Sequence, residues 1–248
     1  MILPFPRILG GRETRPTAAH RHLSVACASV ACALLTASAH AGILWDQIGA
    51  TGSDLPGTGP QGFFRYGSQV FSGEPQYDVI ALDNFTLGSD SHIDRLETVI
   101  QGYGAWSGPG NIQGFVARVF TSPQAAASGF GNAIATLQLA APSAYSSFGT
   151  GLLCGFDANL TLQAGTYWLG IQAILPGSNG QVGVVISNLG GTQQAFQANP
   201  GGGFGLSGNL IERPVNLAYR ISGTAVPGPG ALALVAGAGL LRSRRSRA

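Results

Sequence analysis

The stretch "SDSHIDRLE" gathers Asp90, His92, Asp94 and Glu97 within eight residues. Carboxylates beside an imidazole are groups that bind divalent cations or move protons. Oxygen ligands predominate, which favours Ca²⁺ over Zn²⁺. The spacing matches no standard metal motif, so the plainer expectation is a solvated turn, capped by Asp, leading into a strand. His92 is the one histidine after residue 41. A Ser–His–Asp triad would have to use it, and no Gly-x-Ser-x-Gly elbow accompanies it. Asp46, Asp54, Glu74, Asp78 and Asp83 are candidates for the paired carboxylates of a glycosidase, and none stands out. No catalytic set, metal or cofactor is expected.

Two further stretches invite binding chemistry. "YGAWSGPG" places Tyr103 and Trp106 in a glycine-rich loop. Aromatic faces stack on the apolar faces of sugar rings, and loops at a sandwich end are where such sites form. The competing expectation is a loop aromatic folded onto the sheet edge. "NPGGGFGLSGN", Asn199 to Asn209, resembles a phosphate loop superficially. It lacks the GK[ST] ending and a following helix, so it reads as a flexible turn.

The elements that would position these residues read as strands. In "GTYWLGIQAI", Tyr167, Leu169, Ile171 and Ala173 fall on one face, and Trp168, Gly170, Gln172 and Ile174 on the other. In "NLAYRIS", Leu217, Tyr219 and Ile221 alternate with Ala218, Arg220 and Ser222. "GFVARVF" and "VGVVIS" are rich in β-branched residues. "RLETVI" and "DVIALDNFTL" fit less cleanly, and a bulge is expected in the second. "SGEP", "SGPGN", "PGSNG" and "NLGG" are turn signals between these runs. The one helical candidate is "SPQAAASGF", good for about two turns. The expected fold is all-β, a two-sheet jelly-roll-like β-sandwich over residues 42–225, with a closed barrel as the alternative.

Charge separates this middle from the ends. All 13 basic residues are Arg, and charged residues make up only 10% of the chain, which excludes a disordered polyelectrolyte. Between residues 42 and 241, five arginines face ten acids, a net of −5, although the whole chain is +2. An acidic middle excludes nucleic acid as a partner.

The first 41 residues read as a secretory signal. Arg7, Arg12, Arg15 and Arg21 precede the apolar run "LSVACASVACALLTASAHAG". Small residues at Ala39 and Ala41 place cleavage before Gly42. Cys27 and Cys32 leave with the signal, and Cys154 remains alone, most simply as a buried small hydrophobe. Residues 226–248 form a second separate segment, "VPGPGALALVAGAGLLRSRRSRA". Its eleven-residue apolar run, Ala231 to Leu241, would make a short hydrophobic helix of about 16 Å, against about 30 Å of hydrocarbon. A transient membrane stop fits better than a permanent span, with the arginines held inside.

"ALDNFTL", "LTLQAGTYWLGI" and "NLAYRISGTAVPGPG" resemble phrases of exported bacterial β-sandwich proteins. With the tripartite tail, the chain resembles the PEP-CTERM family of exported, anchored proteins. Val226, Pro227, Gly228 and Pro229 stand where that family reads V-P-E-P, and Arg242, Arg244, Arg245 and Arg247 stand as its basic tail. Gly228 replaces the characteristic Glu. The resemblance implies Sec-type export, signal peptidase, transient residence in the inner membrane, and an exosortase-like processing enzyme. It implies a surface or matrix protein linked to exopolysaccharide and biofilm, rather than an enzyme. A carbohydrate-binding module is the next reading, and a secreted hydrolase the third.

Overall fold

In the computed structural model, residues 41–50, 65–148, 151–190 and 192–226 are described. They build two sheets. The first contains β1 (Gly42–Asp46), β2 (Arg65–Gly67), β5 (Ser91–Tyr103), β8 (Ser146–Phe148), β9 (Gly151–Leu162), β11 (Gln181–Ser187), β14 (Asn216–Leu217) and β15 (Tyr219–Ala225). The second contains β3 (Gln69–Phe71), β4 (Ile80–Leu87), β6 (Gly114–Phe120), β7 (Ala135–Leu139), β10 (Gly165–Leu175), β12 (Ala195–Ala198) and β13 (Leu210–Arg213). All pairings are antiparallel except β3 with β10. The fold is therefore all-β, as the alternation predicts.

The two sheets close on one apolar core. Leu169, Ile171 and Ala173 meet Leu217, Tyr219 and Ile221 there, on the faces assigned from sequence. Cys154 is also in it, fully buried, so the small-hydrophobe expectation holds. The alternation looked incomplete because the outer faces are partly covered too. Helix α1 (Pro123–Ser128) places Ala126 on the outside of the second sheet, with Ile80, Leu82 and Phe120. Ser122 caps that helix through the Ala125 N–H at 3.2 Å, and Pro123 occupies its first turn. On the outside of the first sheet, Ile48, Val99, Val185 and Ala218 form a small cluster of their own.

Two expectations shift. β4 pairs with β10 and β12 without a register break, and the breaks fall in β1, β5 and β15 instead. "SDSHIDRLE" is a turn only at Ser89 and Asp90. β5 begins at Ser91 and runs for 13 residues through His92, Asp94 and Glu97. It tolerates those charges because its outer face meets complementary partners on the neighbouring strands.

The second sheet opens at one point, and side chains fill the gap. β4 and β10 pair in step from Gly165↔Leu87 to Leu169↔Asp83. The same register would set Ile171 opposite Ala81, but the strands have parted there. Two hydroxyls complete the missing pair. Tyr219 Oη accepts from Ile171 N at 3.3 Å and donates to the Ala81 carbonyl at 2.8 Å. Ser68 Oγ accepts from Ala81 N at 3.2 Å and donates to the Ile171 carbonyl at 2.7 Å. Each hydroxyl relays one ladder bond, as only a group that both donates and accepts can. Tyr219 reaches across from the first sheet, and Ser68 lies where the chain crosses from β2 to β3. The relay therefore ties the sheets together and fixes the crossover.

Removing either hydroxyl leaves one buried N–H and one buried carbonyl unpaired. Tyr219→Phe and Ser68→Ala should each lower unfolding free energy by about 3 kcal/mol. Urea unfolding of the full chain measures this, and a loss under about 1 kcal/mol in both would show the relay to be dispensable.

Candidate functional site

His92 and Asp94, two residues apart on one strand face, approach to 3.2 Å. His92 Nδ1 also lies 3.2 Å from Thr161 Oγ1 on β9. Asp90 is used elsewhere, accepting from Ala164 N at 2.9 Å and, through its carbonyl, from Val226 N at 2.7 Å. Among the described residues, no group of three His, Cys, Asp or Glu side chains is placed to hold a metal ion.

The remaining acids on the first sheet form a ladder. Arg220 on β15 bridges Asp46 on β1 at 3.1 Å and Glu97 on β5 at 3.3 Å. Arg95 bridges Glu97 at 3.3 Å and Asp157 on β9 at 3.5 Å. Burial pushes the Asp46 carboxyl up, but Arg220 and the backbone N–H groups of Ile48 and Gly49 outweigh it and hold it below the usual range. Burial disfavours the charged Arg220, and Asp46 and Glu97 more than restore it. Asp78 accepts from Phe71 N at 2.7 Å, and burial pushes its carboxyl up. Asp54 lies outside the described residues.

Asp83 is the most perturbed of the acids. It points from β4 into the core at 1% exposure. Oδ2 accepts from Leu217 N of the opposite sheet at 2.6 Å, and Oδ1 accepts from Asn84 N at 2.8 Å. With its amide turned to satisfy both groups, Gln47 donates to Asp83 Oδ2 at 3.2 Å and to the Leu217 carbonyl at 3.0 Å. Burial without a cation outweighs these donors and raises the carboxyl to about 7. The group pairs the core backbone N–H of Leu217 and that of Asn84, so its role is structural.

Tyr103 and Trp106 are not brought to one surface. Trp106 folds back beneath the end of β5 and lies on Gly102, where a Cβ would come within 1.8 Å of its Cδ2. It packs against the main core, and its Nε1 is buried without a partner. Tyr103, the next strand residue after Gly102, points to the opposite face. Its hydroxyl would stand 2.8 Å from a Cβ at Gly67, with Gln197 Nε2 3.3 Å from the same point. Burial pushes the Tyr103 phenol up, and the nearby Arg65 guanidinium partly offsets this.

This convergence lines a cleft of about 290 Å³ at the edge between the sheets. Gly67, Tyr103 and Gln181 form the side of the first sheet, and Val79 and Gln197 that of the second. Phe204 and Leu206 enter from the 199–209 loop. That loop is held firmly, unlike the flexible turn expected from its glycines. Buried Asn199 donates to the carbonyls of Gln76 at 2.9 Å and Asp78 at 2.8 Å, and accepts from Phe204 N at 2.9 Å. Phe204 remains 41% exposed, braced by Phe71 and Tyr77 with ring centroids 5.8 and 5.4 Å away. Residues from six separate segments meet here, which is why no local motif announced them.

Two arginines stand beside the cleft. Arg65 stacks on Tyr103 at 4.8 Å and donates to Gln101 at 2.7 Å. Arg213 stacks on Tyr66 at 4.7 Å and donates to Gln197 at 3.1 Å. Neither has a carboxylate partner among the described residues. Both Nε atoms are buried without an acceptor.

Of the residues read as processing signals, Ala41, Gly42 and Val226 are described. Ala41 and Gly42 are exposed, and β1 starts at Gly42. β15 ends at Ala225, and Val226 is exposed just beyond it. Ala39, Pro227, Gly228, Pro229, Arg242, Arg244, Arg245 and Arg247 lie outside the described residues. No helix among the described residues is long and apolar enough to cross a membrane. No family model matches the chain, and no curated protein matches it.

Asp83 gives the core a pH signature. Its folded-state value, about 7, lies above the ordinary 3.8, so the folded chain holds the extra proton between those values. Stability should therefore fall as pH rises from about 4 to 7, by on the order of 3 kcal/mol, and level off above that. Urea unfolding across that range checks it. Asp83→Asn should remove most of the slope, leaving the smaller part that Asp78 contributes, and an equal slope in the variant would place its origin elsewhere.

Proposed function

We propose that this is an exported, non-enzymatic surface or matrix protein, a jelly-roll-like sandwich sorted through its C-terminal segment. The signal ends at Ala41, and residues 226–248 serve as a PEP-CTERM-like label with the variant Val226-Pro227-Gly228-Pro229 motif. Sec-type export carries the chain across the inner membrane. The short apolar run pauses there with its arginines inside, and an exosortase-like enzyme processes it. The mature domain remains at the cell surface or in the matrix, with exopolysaccharide.

The observation that supports this most is the pairing of the domain's two ends. Gly42 lies opposite Gly223, so β1 enters where β15 leaves. Both signal-like segments join the same end of the first sheet through exposed residues, where processing enzymes can reach them. The non-enzymatic part draws support from the acids, most of which are engaged in ladders and backbone ties.

The test is a fusion of residues 226–248 to an exported reporter in a host that carries an exosortase. The tail should hold the reporter transiently at the inner membrane and then yield a shortened, surface-associated product. Replacing Arg242, Arg244, Arg245 and Arg247 with Ser should abolish the hold. A reporter whose size and location ignore the tail would refute the sorting role.

A further inference from the structure

We infer that the cleft between Tyr103 and Phe204 is a subsite for an acidic sugar unit of a glycan chain. The inference rests on the cleft and not on the sorting segment, so either can fail alone.

The lining selects a polyhydroxylated ligand. Tyr103 Oη and the Gln181 side-chain amide face the cleft without a hydrogen-bond partner among the described residues. A phenol and an amide both donate and accept, which suits hydroxyls, since these need both at once. The Gln197 amide is already oriented, donating to the Gly67 carbonyl at 3.1 Å and accepting from Arg213. Exposed Phe204 and half-buried Leu206 supply the apolar wall that the C–H face of a pyranose packs against. A volume of about 290 Å³ sits at the low end of small-molecule sites, enough for one ring with its neighbours outside.

Charge narrows the class. On the outer face of the first sheet, Arg95 and Arg220 are neutralised by Glu97, Asp157 and Asp46. At the cleft, Arg65 and Arg213 have no such partner among the described residues, although the middle of the chain is acidic overall. Stacking on Tyr103 and Tyr66 fixes both planes, so a ligand carboxylate meets donors that are already ordered. A uronate unit combines the carboxylate, the hydroxyls and the apolar ring face. The fit is to a chain, since the cleft lies open at the sandwich edge and Phe204 stands at its mouth.

Isothermal titration of the full chain with oligogalacturonate, oligomannuronate and a neutral cello-oligosaccharide tests this. At least one uronate should bind about tenfold more tightly than the neutral chain, and the difference should shrink in high salt. Gln181→Ala should weaken uronate binding about tenfold, the loss of one ligand hydrogen bond to a charged or hydroxyl group. That side chain has no hydrogen bond among the described residues, so the urea midpoint should stay unchanged. Arg65→Gln should remove the preference for uronate over neutral sugar. No binding by the wild type, equal binding of the neutral chain, or full binding by Gln181→Ala with its midpoint intact would each overturn the inference.

Discussion

Everything at the junction of the two sheets depends on how one backbone pair is satisfied. Ile171 and Ala81 would face each other in the ladder, yet β4 has swung away from β10. A buried amide pair left open costs several kcal/mol, so such a gap persists only if other groups fill it. Tyr219 and Ser68 fill it, one hydroxyl on each bond. Tyr219 comes from the first sheet, so the repair also sets the sheet separation. Ser68 comes from the crossover, so the repair also sets where the chain changes sheets. The neighbouring Gln69 continues this pattern. Its Oε1 accepts from Val182 N at 2.9 Å, and its amide reaches the Leu175 carbonyl at 3.3 Å. Asp83 ties the sheets in the opposite direction through Leu217 N. The core is thus apolar in bulk and polar at its stitches.

These ties place the cleft. With Ser68 fixed between β4 and β10, Gly67 must sit at the rim of the first sheet, facing Val79 and Gln197 of the second. A side chain there would strike the Tyr103 hydroxyl, and the glycine keeps the space open. On the other wall, Asn199 gathers three backbone groups and fixes Phe204. The glycines at 201 and 203 let the loop pass against Gln76, where a Cβ would lie 2.6 Å from the Gln76 backbone. A segment that reads as loose by composition is held by the buried Asn199 amide together with Gly203 N on the Gln76 carbonyl and Asn209 on the Pro200 carbonyl.

Sequence alone predicted the parts governed by local periodicity. The faces of 165–174 and 216–222, the capped helix at 123–128 and the burial of Cys154 all follow from spacing and residue type. The rest depends on partners distant in the chain. β5 looked like a turn at its start because His92, Asp94, Arg95 and Glu97 break the apolar pattern. Arg220, Asp157 and Thr161 make those residues acceptable, and nothing near position 92 predicts them. Trp106, in a glycine-rich loop, left two readings open, a sugar platform and an aromatic folded onto the sheet edge. Gly102 offers it a flat bed against the core, in line with the second, a match visible only once β5 is known to reach Tyr103. The hydroxyl relay is equally silent, since Tyr219 alternates as any core residue would.

The fold also has a direction. β15 runs antiparallel to β5, so the chain ends leave beside Ser91, and Tyr103 stands at the other end of the strand. Thirteen extended residues separate those ends by roughly 40 Å. The entering strand joins at the same end, with Gly42 opposite Gly223. One end of β5 therefore carries both connections, and the other carries the cleft, whose two arginines have no carboxylate partner among the described residues. A domain held by its C-terminal segment, at a membrane or at any surface, presents the Tyr103 end outward. The separation matters electrostatically as well. Arg65 lies level with about Val99, eight strand residues or roughly 26 Å from the attachment end, so physiological salt largely screens the charges there. The cleft keeps its attraction for an anion however the far end is attached.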